Sequence, residues 1–377
     1  MKRIIRAILV LAILATSMLS LFACDEGGNA SGEKGLIYKR YAGENFWTIQ
    51  DYVDEDGVTE LNIDPTKDGI EVGRIAAGAF DGCQLEKITI PTTVKEMGAG
   101  AFKNSPKLKE LTIPFVGRYF FAFSQSAGNS DIESGYDKPV DGNYDNVQAS
   151  IAERTIWYLF GTEAFDGGLP LTANDSTVIY MPSTLSKITV NPKAGYNLPI
   201  SAFHGLKSVD EIVLNNVKAI GESAFENVVL DKLVVPSTVE NVYAKAFAGS
   251  DIVDLSFAPN TLLKELGEKA FTTSNIKNIT LPNAIETIGE RCFEKCSSLK
   301  TVTLPKTINK IGYAAFNNCA ELTTVTVAGA TEQTPVALTI EGHAFYKCVK
   351  LSAPVGGEFI TVNLADNSVY AEVKFAN

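Results

Sequence analysis

Residues 299–316 read LKTVTLPKTINKIGYAAF, and the order of apolar and polar residues in them predicts the architecture. Val302 and Leu304 alternate with threonines, which is the period of two expected of a strand with one buried face. The proline that follows ends the strand, because it has no N–H to offer a neighbour. A second apolar pair, Ile308 and Ile311, predicts a shorter extended or turning segment. The stretch closes on a glycine and an Ala-Phe pair.

The same order of residues returns along most of the chain. Segments comparable to LKTVTLP occur as LEKITIP at 85–91, LKELTIP at 108–114 and IKNITLP at 276–282. The closing phenylalanine recurs as Phe80, Phe102, Phe165, Phe203, Phe225, Phe247, Phe271, Phe293, Phe316 and Phe345. Six of the nine intervals are 22 to 24 residues long, and those of 63, 38 and 29 residues mark insertions. Repetition at this period predicts a repeat architecture.

One repeat cannot bury its own apolar face, whereas stacked repeats bury it against one another. We therefore predict a repeat solenoid of about ten coils of 22–24 residues, rich in β-structure with short helical or 3-10 turns. The Ala-Phe pair is expected on a short helical turn, with the phenylalanine filling the coil interior. The glycine is expected at a positive φ or where backbones crowd together.

This pattern resembles the BspA-like leucine-rich repeat family, which is found mainly in bacterial surface proteins. The resemblance covers residues 58–350 and implies a right-handed leucine-rich repeat superhelix. It also implies adhesion to host proteins, to host cells or to other bacteria. It implies no particular partner.

The ends of the repeat region differ from its middle. Residues 36–63 alternate as strands do and carry several aromatic residues, which predicts an N-terminal β cap. Residues 351–377 hold an alternating stretch with an ADNS turn, which predicts a C-terminal β cap with a hairpin. Two insertions are expected within the repeats, at about 118–156 and 171–198.

The N-terminus predicts export. Residues 1–23 combine a basic start with an apolar run, which is typical of a signal peptide. The alternative is an uncleaved membrane helix, but hydroxyl residues in the run and the alanine before Cys24 favour cleavage. The sequence LFAC at 21–24 resembles the bacterial lipobox, which implies lipidation of Cys24 and a place on the outer face of a bacterial membrane. Residues 24–35 are rich in Gly, Ser, Asn and charge, and we expect a flexible tether.

The charge balance excludes one class of partner. Cleavage before Cys24 removes Lys2, Arg3 and Arg6 but no acidic residue, so the net charge of −11 becomes −14. Such a surface repels phosphate backbones, and no nucleic-acid binding is expected. Anionic lipid would also be repelled, so membrane contact is expected only through the lipid anchor.

Catalytic motifs are missing from the sequence. Its two histidines, His204 and His343, are far apart and each flanks an Ala-Phe pair, which gives no material for a His-based triad. GESAF at 221–225 resembles a nucleophile elbow but lacks the second glycine. No phosphate loop or dinucleotide fingerprint occurs. We predict a protein that is not an enzyme and uses no cofactor or metal.

Five cysteines fall at repeat positions. Cys83, Cys296, Cys319 and Cys348 each follow a phenylalanine by three residues, and Cys292 replaces the usual alanine. Equivalent positions predict small, buried side chains. A disulfide between Cys296 and Cys319 is the alternative in an oxidising compartment.

Residues 141–152 in the first insertion match a calcium-binding loop only in part. Asp141, Asn143 and Asp145 place oxygen ligands at alternate positions, as a calcium loop does. The glycine needed at the sixth place and the glutamate needed at the twelfth are replaced by Asn146 and Ala152. A polar loop is therefore the favoured interpretation.

The candidate binding residues lie in or beside the first insertion. The exposed strand positions are mostly threonines and charges of mixed sign, with few of the aromatic or arginine anchors that dominate interfaces. The insertion supplies such anchors, which are Arg118, Tyr119, Phe121, Phe123, Tyr136, Tyr144 and Trp157. The alternative is that its aromatics pack the insertion onto the solenoid.

The sequence therefore predicts a non-enzymatic cell-surface protein. Its expected partner is a protein or carbohydrate ligand on a host or bacterial surface, bound through the solenoid and the insertion. The alternative is a structural or scaffold lipoprotein of the bacterial cell envelope.

Overall fold

The computed structural model describes residues 34–119, 152–173, 176–193, 195–328 and 336–351, and the backbone of 360–364. These residues belong to one compact unit, Lys34–Asn377. They form a β-solenoid of about 11 turns with almost no helix, which confirms the predicted fold class. The predicted signal peptide and most of the tether lie outside the described residues.

The described strands are short, and most have two to five residues. In the N-terminal part they are β1 (Gly35–Lys39), β2 (Trp47–Val53), β3 (Glu60–Asn62), β4 (Thr66–Lys67), β5 (Ile70–Ile75), β6 (Lys87–Thr89), β7 (Glu96–Met97) and β8 (Glu110–Ile113). Two 3-10 helices follow, at Ala152–Arg154 and Ile156–Leu159.

In the middle part the strands are β9 (Gly168–Thr172), β10 (Val178–Pro182), β11 (Lys187–Val190), β12 (Tyr196–Leu198), β13 (Glu211–Leu214), β14 (Val217–Ile220), β15 (Val229–Val235), β16 (Asn241–Val242) and β17 (Asp251–Phe257). In the C-terminal part they are β18 (Glu265–Leu266), β19 (Asn278–Thr280), β20 (Thr287–Ile288), β21 (Thr301–Pro305), β22 (Lys310–Ile311), β23 (Thr324–Ala328), β24 (Val336–Ile340) and β25 (Ile360–Leu364).

Three parallel sheets run along the solenoid. The first sheet has the spatial order β3-β6-β8-β11-β13-β15-β17, and the short sheet has the order β19-β21-β23. The second sheet has the order β12-β14-β16-β18-β20-β22-β24-β25. Every pairing inside these three sheets is parallel, because each strand pairs with its equivalent in the next coil.

The strand alternation predicted from sequence is present. In β21, Val302 and Leu304 are buried while Thr301 is exposed and Thr303 is half-buried. In register, Val302 pairs with Val325 and Leu304 with Val327 of β23. Each inward column is therefore continuous from coil to coil, as a shared core requires.

The repeat phenylalanines form a stack through the interior. Ring centroids are 5.3 Å apart between Phe225 and Phe247, 4.9 Å between Phe247 and Phe271, and 5.1 Å between Phe271 and Phe293. The planes of these pairs differ by no more than 8°. Their burial confirms the predicted interior position of the phenylalanine.

Phe165 was expected in this stack but does not take part in it. The structure places Phe160 there instead, with its ring 6.5 Å from that of Phe102. The Phe102 N–H donates to the Leu159 carbonyl over 2.9 Å, as the other repeat phenylalanines donate to the residue before the next phenylalanine. Leu159 and Phe160 therefore replace the Ala-Phe pair in this coil, and Phe165 is only half-buried.

The Ala-Phe pair lies in a stacked turn rather than a helical one. Arg291 and Lys295, on either side of Phe293, take left-handed φ values of 51° and 59°. Alternate N–H groups point to the next coil, since Phe293 donates to Ala315 over 2.7 Å. The N–H groups between them close turns within the coil, since Cys292 donates to Gly289 over 3.3 Å. The turn thus satisfies its backbone without a helix or a strand.

The repeat glycine was expected either at a positive φ or where backbones approach closely, and the structure shows the close approach. A Cβ on Gly312 would lie 2.9 Å from the carbonyl carbon of Gly289 and 2.9 Å from the oxygen of Ile288. Left-handed φ values occur two residues later, at Ala314 in this coil. Glycine is therefore required by the close approach of the preceding coil.

The N-terminal end carries an antiparallel hairpin. β1 pairs with β2, and β2 then pairs in parallel with β5. The Tyr52 ring lies 5.9 Å from that of Phe80, so the hairpin covers the first ring of the stack. At the C-terminal end β25 pairs with β24, and the rest of the predicted cap at 351–377 lies outside the described residues or is known only as backbone.

The second insertion is shorter than 171–198. An antiparallel hairpin, β9 and β10, departs from the repeat. β11 then pairs with β8 and β13 in the first sheet, and β12 begins the second sheet. Residues 187–198 therefore form an ordinary coil. Its sequence LSKITV at 185–190 has the repeat pattern, but the proline after it is displaced by one residue.

Candidate binding surfaces

The two ends of the first insertion meet on the solenoid. The backbone N–H of Arg118 donates to the Glu153 carbonyl over 2.7 Å. Nη1 of Arg118 also donates to Oε1 of Glu153 over 2.7 Å. The described residues on either side of the insertion are therefore held together at Arg118 and Glu153.

A row of side chains with alternating charge lies beside Arg118 and Glu153, and neighbouring members form ion pairs. Nη1 of Arg74 lies 2.7 Å from Oε1 of Glu44, and its Nε lies 2.7 Å from Oε2 of Glu96. The other oxygen of Glu96 lies 3.3 Å from Nε of Arg118. We call these side chains the ionic ladder, and its five members are Glu44, Arg74, Glu96, Arg118 and Glu153. Each of them is at most about a third exposed, so their charges are screened less than those of isolated surface pairs.

Two side chains at this place, Arg118 and Tyr119, have raised pKa values. Burial lowers the pKa of Arg118, but the hydrogen bond to Glu153 and the neighbouring phenols outweigh it, and the pKa is raised overall. Burial, together with the charge of Glu96, raises the pKa of Tyr119 to about 12. Arg118 is therefore a permanent cation and Tyr119 a neutral phenol at physiological pH.

The described candidate binding residues differ in their exposure. Arg118 keeps 34% of its side-chain surface, and its guanidinium lies over the Tyr119 ring at 4.7 Å. Tyr119 is 8% exposed and Trp157 is 3% exposed. The Trp157 indole donates to the His204 carbonyl over 3.0 Å. These contacts favour the packing alternative for both rings. Four further candidates lie outside the described residues, and they are Phe121, Phe123, Tyr136 and Tyr144.

The outer face of the first sheet carries paired charges. Oε2 of Glu211 lies 3.0 Å from Nζ of Lys187, and its Oε1 lies 3.5 Å from Nζ of Lys232. Lys87 and Glu110 pair over 3.3 Å in the same column. Because these five side chains pair with partners on neighbouring strands, this part of the face offers little unbalanced charge to a ligand.

The sheet on this face is interrupted between β17 and β19. The two strands belong to successive coils, yet the first sheet ends at β17 and the short sheet begins at β19. A groove of about 410 Å³ lies at this interruption. Leu255 and Phe257 line it and are half-buried, although their register partners Leu233 and Val235 are fully buried.

The corner after β17 explains the interruption. In neighbouring coils, Val239 follows Leu233 by six positions and Ile285 follows Ile279 by six, whereas Leu263 follows Leu255 by eight. The two additional residues enlarge the corner, so the end of β17 diverges from β19. This groove was not predicted, because the corresponding interval between phenylalanines, 24 residues, is within the regular range.

A cluster of aromatic rings is exposed on the turns of the last coils. The His343 ring lies edge-on to Tyr313 and to Tyr346, at 5.6 Å from each. Tyr313 is 38% exposed and Tyr346 is 44% exposed. Spacing did not indicate this cluster, since its members come from different positions in two coils.

The cysteines of the described residues are free and buried. Sγ of Cys296 donates to the Phe271 carbonyl over 2.9 Å, and Sγ of Cys319 donates to that of Phe293 over 3.0 Å. Burial raises the pKa of the Cys292 thiol well above its usual range. The side chains are those predicted for core positions, and the Cys296–Cys319 disulfide is not formed.

The described part of the chain contains neither a metal-ligand cluster nor a membrane-spanning helix. No group of three or more His, Cys, Asp or Glu side chains there could hold a metal ion. None of its helices has the length and apolar character needed to cross a bilayer. The disfavoured calcium loop with Asp141, Asn143 and Asp145 lies outside the described residues.

The sequence matches the BspA type leucine rich repeat region in six copies, over residues 61–148, 175–254 and 218–352. These ranges span more than half of the chain, and the protein belongs to the BspA-type leucine-rich repeat family. No curated protein sequence matches the chain.

Solved structures of bacterial repeat proteins are similar to it. A leucine-rich repeat protein from Bacteroides ovatus is 19% identical, with 92% of this chain and 78% of that chain covered and a TM-score of 0.41. The pneumococcal vaccine antigen PcpA is 16% identical, with 87% and 75% covered and a TM-score of 0.38. A leucine rich cell surface protein from Faecalibacterium prausnitzii is 18% identical, with 82% and 97% covered and a TM-score of 0.27.

Proposed function

We propose that the protein is a non-enzymatic binding protein on the bacterial cell surface. It binds a protein or carbohydrate ligand on a host or neighbouring cell, through the solenoid and the insertion at 118–156. Family membership supports this proposal, since these repeats usually serve protein interaction at surfaces. The observation that carries it is the base of the insertion, where two hydrogen bonds between Arg118 and Glu153 hold its ends together on the solenoid.

Deletion of the insertion tests the binding proposal. Because Arg118 and Glu153 are hydrogen-bonded, residues 120–151 can be replaced by a short Gly-Ser linker with the coil unchanged. We expect the melting temperature to stay within a few degrees, while binding of the purified protein to host cells and neighbouring bacteria falls strongly. The matched control replaces 173–177, the loop between β9 and β10, by an Asn-Gly turn. Equal cell binding by the two variants would move the site away from the insertion.

The proposed location is the outer face of a bacterial membrane, held by lipid on Cys24. Two or more acyl chains anchor a protein stably, since each buried methylene contributes about 0.8 kcal/mol. Metabolic labelling with a fatty-acid analogue checks this. Wild type is expected to incorporate label and Cys24→Ala to remain unlabelled, and equal labelling would disprove the anchor.

A scaffold role in the cell envelope is the second candidate. The ion pairs of Glu211 with Lys187 and Lys232 favour it, because side chains that are already paired within the face are less available to a foreign ligand. Crosslinking on intact cells separates the two functions. Adducts only with envelope proteins would support the scaffold, and adducts with foreign-cell ligands would support binding.

A further inference from the structure

The groove between β17 and β19 has an apolar floor. Leu255 and Phe257 occupy inward columns of the first sheet and pack against the core, yet at the interruption they are only partly buried and line the groove. Ile279 and Leu281 of the next coil line it as well and are almost fully buried. A partly exposed phenyl ring beside further apolar side chains offers an apolar contact for the C–H groups of a ligand.

The rim of the groove is polar and uncharged. Its side chains can donate or accept hydrogen bonds, and they are Ser256, Asn260, Asn278, Thr280, Asn283 and Thr301. No charged side chain is among the lining residues. The volume of about 410 Å³ lies within the range of ligand sites, roughly 300–1,000 Å³.

We propose that this groove binds a neutral carbohydrate. A sugar ring combines an apolar C–H face with hydroxyl groups that both donate and accept, which matches the Phe257 floor and the amide and hydroxyl rim. An acidic sugar would find no cation in the lining and a net charge of −11 on the protein. This inference rests on the proposed binding function and gives it a second site, remote in sequence from the insertion.

The spacing of the strands disfavours an extended peptide as the occupant. An additional strand between β17 and β19 requires about 9.6 Å between them, twice the usual spacing of neighbouring strands. Cα atoms of the two strands still approach within 8 Å of each other. Just before β17 the Asn275 N–H donates to the Ser250 carbonyl over 2.8 Å, and the groove is lined from Leu255 onward, so the opening lies toward the carboxyl end of β17 and suits a compact ring.

The experiment is an array of neutral oligosaccharides, printed beside their sialylated and sulfated counterparts and probed with the full chain. We expect retention on neutral glycans. Thr280→Trp fills the groove from an exposed position, and it is expected to lower the affinity for a retained glycan at least about tenfold, the equivalent of 1.4 kcal/mol. Thr326→Trp changes the same exposed column two coils away and is expected to bind as wild type does.

A second variant keeps the proposal testable if Thr280→Trp fails to fold. Asn260 has a left-handed φ of 59°, so Asn260→Gly removes its amide without backbone strain. Combined with Asn283→Ala, it is expected to weaken the same glycans while the melting temperature is unchanged. Wild-type retention of acidic glycans only, or of none, overturns the proposal, as does equal affinity of the groove and control variants.

The two binding proposals fail separately. If cells are bound through the insertion but no neutral glycan is retained, only the groove proposal is overturned. If neutral glycans are retained by the wild type and by the variant lacking 120–151, but not by Thr280→Trp, the groove is supported independently of the insertion. If neither cells nor glycans are bound, both proposals fail.

Discussion

Phe160 and Phe165 show how neighbouring residues of one type acquire different roles. Phe160 is 3% exposed and stands in the interior stack beside Phe102, whereas Phe165 is half-buried near Gly168. The sequence motif pointed to Phe165 because the residue before it is alanine, as in the regular repeats. The coil closes through Leu159 instead, since the returning end of the insertion brings residues 156–159 under Phe102.

Alanine substitutions separate these two roles. Phe160→Ala is expected to destabilise the fold by about 3–5 kcal/mol, because it opens a cavity in the stack. Phe165→Ala, the matched control, is expected to cost about 1 kcal/mol or less, since a half-buried ring loses less on truncation. The urea midpoints of the two variants provide the measurement. A larger loss for Phe165→Ala would restore the motif assignment.

At the scale of the element, Glu211 links three strands of the first sheet. Its carboxylate pairs with Lys187 on one side and Lys232 on the other. The hydrogen bond to Lys187 lowers the pKa of Glu211, since it favours the charged form. A depressed pKa in the folded state means that this carboxylate stabilises the fold above its unfolded pKa. That contribution is lost as the pH falls through the lowered value.

The pH dependence of one variant tests this link. Glu211→Gln is expected to lower stability at pH 7 by about 0.2–1 kcal/mol, the range of partly exposed pairs. The difference from wild type should shrink as the pH falls below the usual glutamate range. The coupling between Lys187→Met and Glu211→Gln in a double-mutant cycle should vanish there too. A coupling that persists at low pH would contradict the assignment to charge.

The groove between β17 and β19 is the feature of the sheets that the sequence predicts least well. Its cause is local, an enlarged corner between Leu255 and Leu263, but its effect is the separation of β17 from β19. A corner two residues longer still allows the phenylalanine stack to continue, since Phe247 and Phe271 are 4.9 Å apart. The spacing of the phenylalanines therefore does not indicate that β17 is separated from β19.

At the scale of the whole molecule, a solenoid must protect its exposed ends. The β1–β2 hairpin does so at the N-terminal end, where Tyr52 covers Phe80 and β2 covers the edge of β5. An uncovered parallel edge presents unpaired N–H and C=O groups to other chains. The cap therefore contributes to solubility as well as to stability.

Removal of the cap tests this requirement. A variant lacking residues 34–53 is expected to form oligomers or aggregates, measured by size-exclusion chromatography with light scattering. A variant lacking only residues 25–33 is expected to stay monomeric, since it retains the hairpin. Tyr52→Ala, which keeps the hairpin but uncovers the Phe80 ring, should be monomeric and less stable. A monomeric, fully stable protein without residues 34–53 would show that no cap is needed.

The sequence alone determined the repeat, its period, the buried faces of the strands and the burial of the cysteines. These follow from the spacing of apolar residues, which each coil repeats and stacking satisfies locally. Tertiary structure decided which phenylalanine closes the coil after the insertion, that Gly312 is needed for crowding, and that β17 parts from β19. Those outcomes depend on the contacts between one coil and the next. Such contacts join residues 22 or more positions apart, so the sequence of a single repeat does not predict them.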